Sequence, residues 1–191
     1  MGAVGANKGS VVSVSTDSKE FRNTLRLAED KIRNDDTETA VVYNKDGNLV
    51  LTKNQGMTNK VDFTAEETAL FENSVFTHNH PSTATFSSAD IETAVKAGIK
   101  EMRACHADGA YVMVRNYGIN DLIPSKYLNF AKDYTQARQD YRINVVDKVW
   151  DNSMQTQADA DKCNRMLTDF RHQWLKDNAK SYGWTYKEEK K

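Results

Sequence analysis

Residues 77–90, Thr-His-Asn-His-Pro-Ser-Thr-Ala-Thr-Phe-Ser-Ser-Ala-Asp, set two histidines, a serine and an aspartate close together in the chain. Neutral imidazole and carboxylate are good zinc ligands, and three of them leave a fourth position for the water that a hydrolytic site must activate. His78, His80 and Asp90 are the candidate ligands. The histidines stand two apart, so a strand carrying them turns both rings to one face. Ser87 and Asp90 have the Ser-x-x-acid spacing of a helix start, which puts Asp90 in the first helical turn. A hydrolytic water must also lose its proton, and a carboxylate that is not itself a ligand does this well. Glu38, ahead of an apolar run, is the candidate, able to approach the histidines only through sheet pairing; Glu66, Glu67 and Glu72 compete with it. The Ser87 hydroxyl can cap the helix or face the oxygen that turns negative in a tetrahedral intermediate. One hydroxyl cannot fully serve both.

Each residue also has an ordinary explanation. A capping box accounts for Ser87 and Asp90 without any metal, alternate strand residues account for the histidines, and a strand-edge charge accounts for Glu38. Their coincidence in one stretch, with both rings on one face, favours a metal. Cys105-His106 reads as structural and His172 as a solvated helical residue. The letters His-Asn-His match HNH nucleases by accident, and the chain lacks the Pro-Cys-x-x-Cys pair of zinc deaminases.

The elements that must position these groups follow from periodicity. Ser18 opens a helix ending near Asn34, with Phe21, Leu25, Ala28 and Ile32 on one face. Residues 39–43 and 48–52 read as a hairpin turned by Asp46-Gly47. After Gly56, residues 60–63 read as a further strand, and Thr64-Ala-Glu-Glu67 as a capping box opening a short helix. Residues 74–77 form the strand delivering His78. Ser87 then opens a helix striped by Ile91, Val95 and Ile99, and residues 110–114 form a buried strand. This is a mixed α/β layer. Residues 125 to about 182 read as two long helices seamed by aromatic residues from Tyr127 to Tyr182. Residues 183–186 close against the core, and 187–191 form a solvated charged tail. Residues 1–17 read as a flexible lead-in, with 11–14 as an alternative edge strand.

Composition sets the frame. The 191 residues suit one modest domain with an appendage, at 39% hydrophobic and 28% charged. A formal net charge of -1 implies no bulk attraction to nucleic acid or anionic membrane. The two cysteines have no metal or redox spacing and read as reduced thiols. No apolar stretch reaches membrane-spanning length, so a soluble, cytoplasmic protein is expected.

The order Glu38, then His78-Asn79-His80-Pro81, then Ser87-Ser88-Ala89-Asp90 resembles the signature of the JAMM (MPN-plus, JAB-like) zinc metalloproteases. The His-Asn-His-Pro wording is closer to the prokaryotic RadC-like and phage-associated branch than to the eukaryotic deubiquitinating one. The resemblance covers roughly residues 36–116. It implies a mixed, curved β-sheet flanked by helices, with cytidine-deaminase-like architecture, over residues 18–120, followed by a C-terminal helical extension, 121–191. It also implies Zn2+ on His78, His80 and Asp90, Glu38 as general acid/base on the attacking water, and Ser87 supporting the tetrahedral intermediate. The implied activity is that of a bacterial or phage peptidase or isopeptidase acting on a polypeptide or protein conjugate. The C-terminal helices would select substrate, or bind a protein partner or a second copy. The alternatives are a catalytically silent MPN-like binding or assembly module and a RadC-like DNA-associated protein. One departure stands out: Asp90 follows His80 by ten residues, one fewer than the commonest family spacing.

Overall fold

The computed structural model describes residues 13–82, 84–150 and 156–191. Helix α1, Lys19–Ile32, starts at Ser18, whose hydroxyl accepts the Phe21 amide, and it buries Phe21, Leu25 and Ile32 together with Glu29. Strands β1, Thr39–Tyr43, and β2, Leu49–Asn54, form the hairpin. Its turn needs Gly47, which has φ +76 and would carry a Cβ 2.5 Å from the Val14 carbonyl oxygen. Next come α2, Ala65–Thr68, inside its capping box, then β3, Val75–Asn79, and α3, Ser88–Lys96. Strands β4, Glu101–His106, and β5, Gly109–Arg115, follow. The C-terminal part contains α4, Ser125–Leu128, α5, Phe130–Tyr141, a π turn over Arg142–Val146, α6, Asp147–Val149, and α7, Gln157–Asn178. It ends in β6, Trp184–Lys190.

The six strands form one mixed sheet in the order β2-β1-β3-β4-β5-β6. Every neighbouring pair is antiparallel except β3 and β4. A parallel pair needs a crossover, and α3 supplies it, so this helix begins just beyond the end of β3. Both faces of the central strands are covered, which is why every residue of β1, β3 and β4 is buried. One face packs Val41, Tyr43, Val75, Cys105 and Val112 under α1. The other packs Ala40, Val42, Phe76, Met102 and Met113 under α3, α5 and α7, with Ile91, Phe130, Tyr134 and Leu175 among the helical partners. Burying a side chain of this size fully stabilises the fold by about 1.5–3 kcal/mol.

The sheet departs from the expected order in three places. Residues 60–63 are not a strand: β2 and β6 already hold the two sheet edges, and this segment runs as a loop with a Lys60–Asp62 ion pair. β4 was hidden because Glu101 and Arg103 give it a polar pattern; both are buried in ion pairs, so charge does not mean exposure there. Residues 187–191 are charged and mostly exposed as expected but do not form a free tail, since β6 runs through Lys190 and pairs with β5 from Gly109↔Lys190 to Arg115↔Trp184. The last segment thus returns to the sheet. The expected first long helix is the broken run α4 to α6, whereas α7 is one helix of 22 residues. Most of the lead-in, with Val11 and Val12, lies outside the described residues; Val14 donates to the Asp46 carbonyl at 3.0 Å.

Candidate metal centre

Strand β3 carries His78 to the α3 face of the sheet, and His80 follows one residue past the strand end on the same side. Their Nε2 atoms approach to 2.8 Å. The first turn of α3 brings Asp90 against both, Oδ1 3.5 Å from His78 Nε2 and Oδ2 3.6 Å from His80 Nε2. Ligand bonds of about 2.0–2.2 Å around a tetrahedral zinc place donor atoms roughly 3.3–3.5 Å apart. The two Asp90 contacts, made by different oxygens, are of about that length, whereas the two ring nitrogens at 2.8 Å stand closer together than ligands of one ion would. Asp90 is oriented in advance. Its Oδ2 accepts the Ser87 amide at 2.6 Å, while its own amide donates to Ser87 Oγ at 3.1 Å.

Glu38 reaches the cluster through sheet register. Ala40 pairs with His78 in the antiparallel β1/β3 ladder, so continuing the register past Thr39 sets Glu38 opposite His80. Glu38, His78 and His80 offer ligand atoms that all lie within 4.8 Å of one another. Asn79, the residue between the histidines, faces the other way and ties down the segment bearing Glu38. It accepts from the Thr39 amide at 2.7 Å and donates to the Asp35 and Thr37 carbonyls at 3.1 Å each. The Glu38 amide donates to the Met57 carbonyl at 2.7 Å. Of the competing glutamates, Glu67 is committed to its own capping box and to Lys53, and neither Glu66 nor Glu72 lines the cleft.

Electrostatics gives the two carboxylates different characters. Burial tends to raise Asp90, but the His78 and His80 rings and the Ser87 amide outweigh it, so Asp90 lies well below the usual carboxylate range. Glu38 is raised, chiefly by burial and further by Asp90, with His78 opposing. Burial and the His78 charge bring His80 down to about 4, so its ring is neutral, as a ligand must be. Its Nδ1 donates to the Ala84 carbonyl at 2.6 Å, which leaves the Nε2 lone pair aimed at the cluster. For His78, burial disfavours charge, but Asp90 and Glu38 prevail and the net shift is upward. His78 Nδ1 is buried with no hydrogen bond of normal geometry, although the Arg103 backbone acts on the ring in the direction favouring protonation. The 2.8 Å contact between the two Nε2 atoms needs one hydrogen between them. Two imidazoles and a carboxylate converging in this way are a donor set of the kind that a zinc ion would accept.

The cluster lies in a cleft of about 1030 Å³. Phe76 and Met102 contribute to its lining from the sheet, Ala89 and Thr93 from α3, and residues 58–63 from the loop after β2; Ser87 and Arg171 also border it. No family model, curated protein or solved structure matches this chain. Its functional reading rests on the motif and this geometry.

Other candidates fall elsewhere. Cys105 is buried on the α1 face, where burial pushes its thiol up to about 12, and His106 packs on Tyr111. His172 is not solvated: it is half-buried, with Nδ1 2.8 Å from the Tyr186 hydroxyl. Asn79, Tyr134, Arg171 and Tyr186 all brace the site; the sequence places Tyr134 in the helical seam and Tyr186 in the segment closing on the core, and gives none of the four a role here. Only Asn79 carried a local signal, as a polar amide inside a buried strand that must find partners for its hydrogen-bonding groups. No helix among the described residues is long and apolar enough to cross a membrane.

Proposed function

We propose that this chain is a zinc-dependent peptidase or isopeptidase of the JAMM type, acting on a polypeptide or protein conjugate in a bacterial or phage-infected cytoplasm. The observation that carries the reading is the convergence of two carboxylates on one histidine pair, Glu38 with ligand atoms within 4.8 Å of both rings and Asp90 at 3.5 and 3.6 Å from them, with burial raising Glu38 while the rings keep Asp90 low. Paired groups driven apart in this way divide the roles of charge stabiliser and proton carrier. His78, His80 and Asp90 would hold the ion, which supplies a Lewis acid and makes a water acidic enough to deprotonate near neutral pH. Glu38 takes that proton on its carboxylate and returns it to the departing amine, for which its raised affinity is suited. Ser87 uses a lone pair in the cap, and its hydroxyl hydrogen remains available to a developing oxyanion. The two duties assigned to Ser87 thus fall on different parts of one hydroxyl.

A zinc-holding scaffold without turnover is the competing reading, and Glu38 beside both histidines argues against it. The test couples metal analysis with peptide-library cleavage. Stoichiometric zinc in the wild type, lost in His78→Ala, together with cleavage by the wild type, is the expected result. Zinc without cleavage of any peptide or conjugate would leave the scaffold, and a wild type free of zinc after refolding with the metal would end the proposal.

A further inference from the structure

His80 is fixed by a carbonyl that belongs to an irregular segment. The ring's Nδ1 donates to the Ala84 carbonyl, and residues 84–86 belong to no helix or strand before Ser87 caps α3. Thr85 and Phe86 are nevertheless fully buried. Buried backbone oxygens must find donors, and here the donors come from far along the chain. Arg171 Nη2 on α7 donates to the Thr85 carbonyl at 2.6 Å and also to the Phe86 carbonyl. Its Nε donates at 3.0 Å to the hydroxyl of Tyr134 on α5, which itself donates to the Phe86 carbonyl at 2.8 Å. Tyr186 on β6 closes the set, its hydroxyl 2.7 Å from Thr85 Oγ1. The next residue, Ser87, is the cap from which Asp90 is aimed.

We propose that Arg171 is a positioning residue for the metal centre: by gripping the carbonyls of Thr85 and Phe86 it holds Ala84 against His80 and sets the start of the helix that presents Asp90. This deepens the metal-site reading, on which its zinc arm rests. It gives the C-terminal helices a task inside the site, distinct from substrate selection. The planar guanidinium serves both carbonyls through Nη2 and the Tyr134 hydroxyl through Nε, so two nitrogens of one rigid group act at once. Lysine offers a single ammonium in its place.

The test compares wild type with Arg171→Met and Arg171→Lys. Imidazole 15N–1H correlation spectra of the metal-free proteins report the His80 tautomer, and chelator competition reports Zn2+ affinity. Thermal unfolding checks that each variant is folded. The expected result is a single Nδ1–H tautomer at His80 in the wild type and a mixture in Arg171→Met, with zinc affinity lowered by roughly 10- to 100-fold, as for loss of a partner that orients a ligand. Arg171→Lys should fall between. A folded Arg171→Met that keeps one tautomer and full affinity overturns the proposal; if that variant does not fold, the same outcome in Arg171→Lys overturns it. A wild type that binds no zinc defeats the metal-site reading alone, since the tautomer spectra still decide whether Arg171 holds His80.

Discussion

Two of the three capping boxes among the described residues have the same grammar and different consequences. Thr64 and Glu67 open α2, and Ser87 and Asp90 open α3, each with reciprocal bonds between the cap hydroxyl, the third helical amide and its acidic side chain. The backbone contacts are alike: 3.2 and 2.8 Å in the first box, 3.1 and 2.6 Å in the second. What differs is the surroundings of the acid. Glu67 turns to a lysine, Lys53, at 2.6 Å near solvent, whereas Asp90 turns to two imidazoles across a cleft. A cap orients a carboxylate, and only the neighbouring elements decide whether that carboxylate has chemistry to do.

Substitutions can break this comparison, beginning with the largest effect. Asp90→Asn retains an acceptor for the cap but drops the charge, so zinc affinity should fall by more than the roughly 10- to 100-fold expected for an outer partner of a ligand. Glu67→Gln should leave affinity unchanged in the same chelator competition. Glu38→Gln separates holding the ion from using it. Turnover should decrease by about 10²–10⁴-fold, with zinc still present by metal analysis; full activity would remove Glu38 from the mechanism.

A smaller effect is expected at the cap hydroxyls. Ser87→Ala should cost about 1 kcal/mol in urea unfolding, and Thr64→Ala no more. Only the Ser87 variant should also slow cleavage; equal activities would mean that Ser87 is a cap and nothing else. The smallest effect concerns acid. Lys53 and the Thr64 amide hold Glu67 below its ordinary value of 4.5. The lowered value means that its contribution is complete above pH 4.5 and disappears as pH falls through the folded value. A 13C titration of the Glu67 carboxyl should show that depression, and Lys53→Met should reduce it.

The parts of the fold legible in sequence are those governed by near neighbours. Ser18, Gly47, Thr64 and Ser87 act on residues within a few positions of themselves, so α1, the hairpin, α2 and α3 could be read from spacing. β4 and β6 could not. Their charged residues belong to strands only because partners arrive from elsewhere: Arg103 meets Glu29 of α1 at 2.6 Å and Glu189 of β6 at 2.8 Å. The same divide runs through the site. His78, His80 and Asp90 announce themselves by type and spacing, while Glu38 is marked only by its place ahead of an apolar run until β1 pairs with β3 and sets it opposite His80.

By itself, the sequence determined which groups could bind a metal and which local turns would aim them, because strand alternation and helix capping act over two to four residues. Only the tertiary structure decided that Glu38 stands beside His80, that Asp90 is held low while Glu38 is raised, and that α5, α7 and β6 brace the segment between His80 and Asp90. Register, desolvation and the satisfaction of buried carbonyls depend on contacts between residues tens of positions apart, and spacing along one chain does not encode them locally.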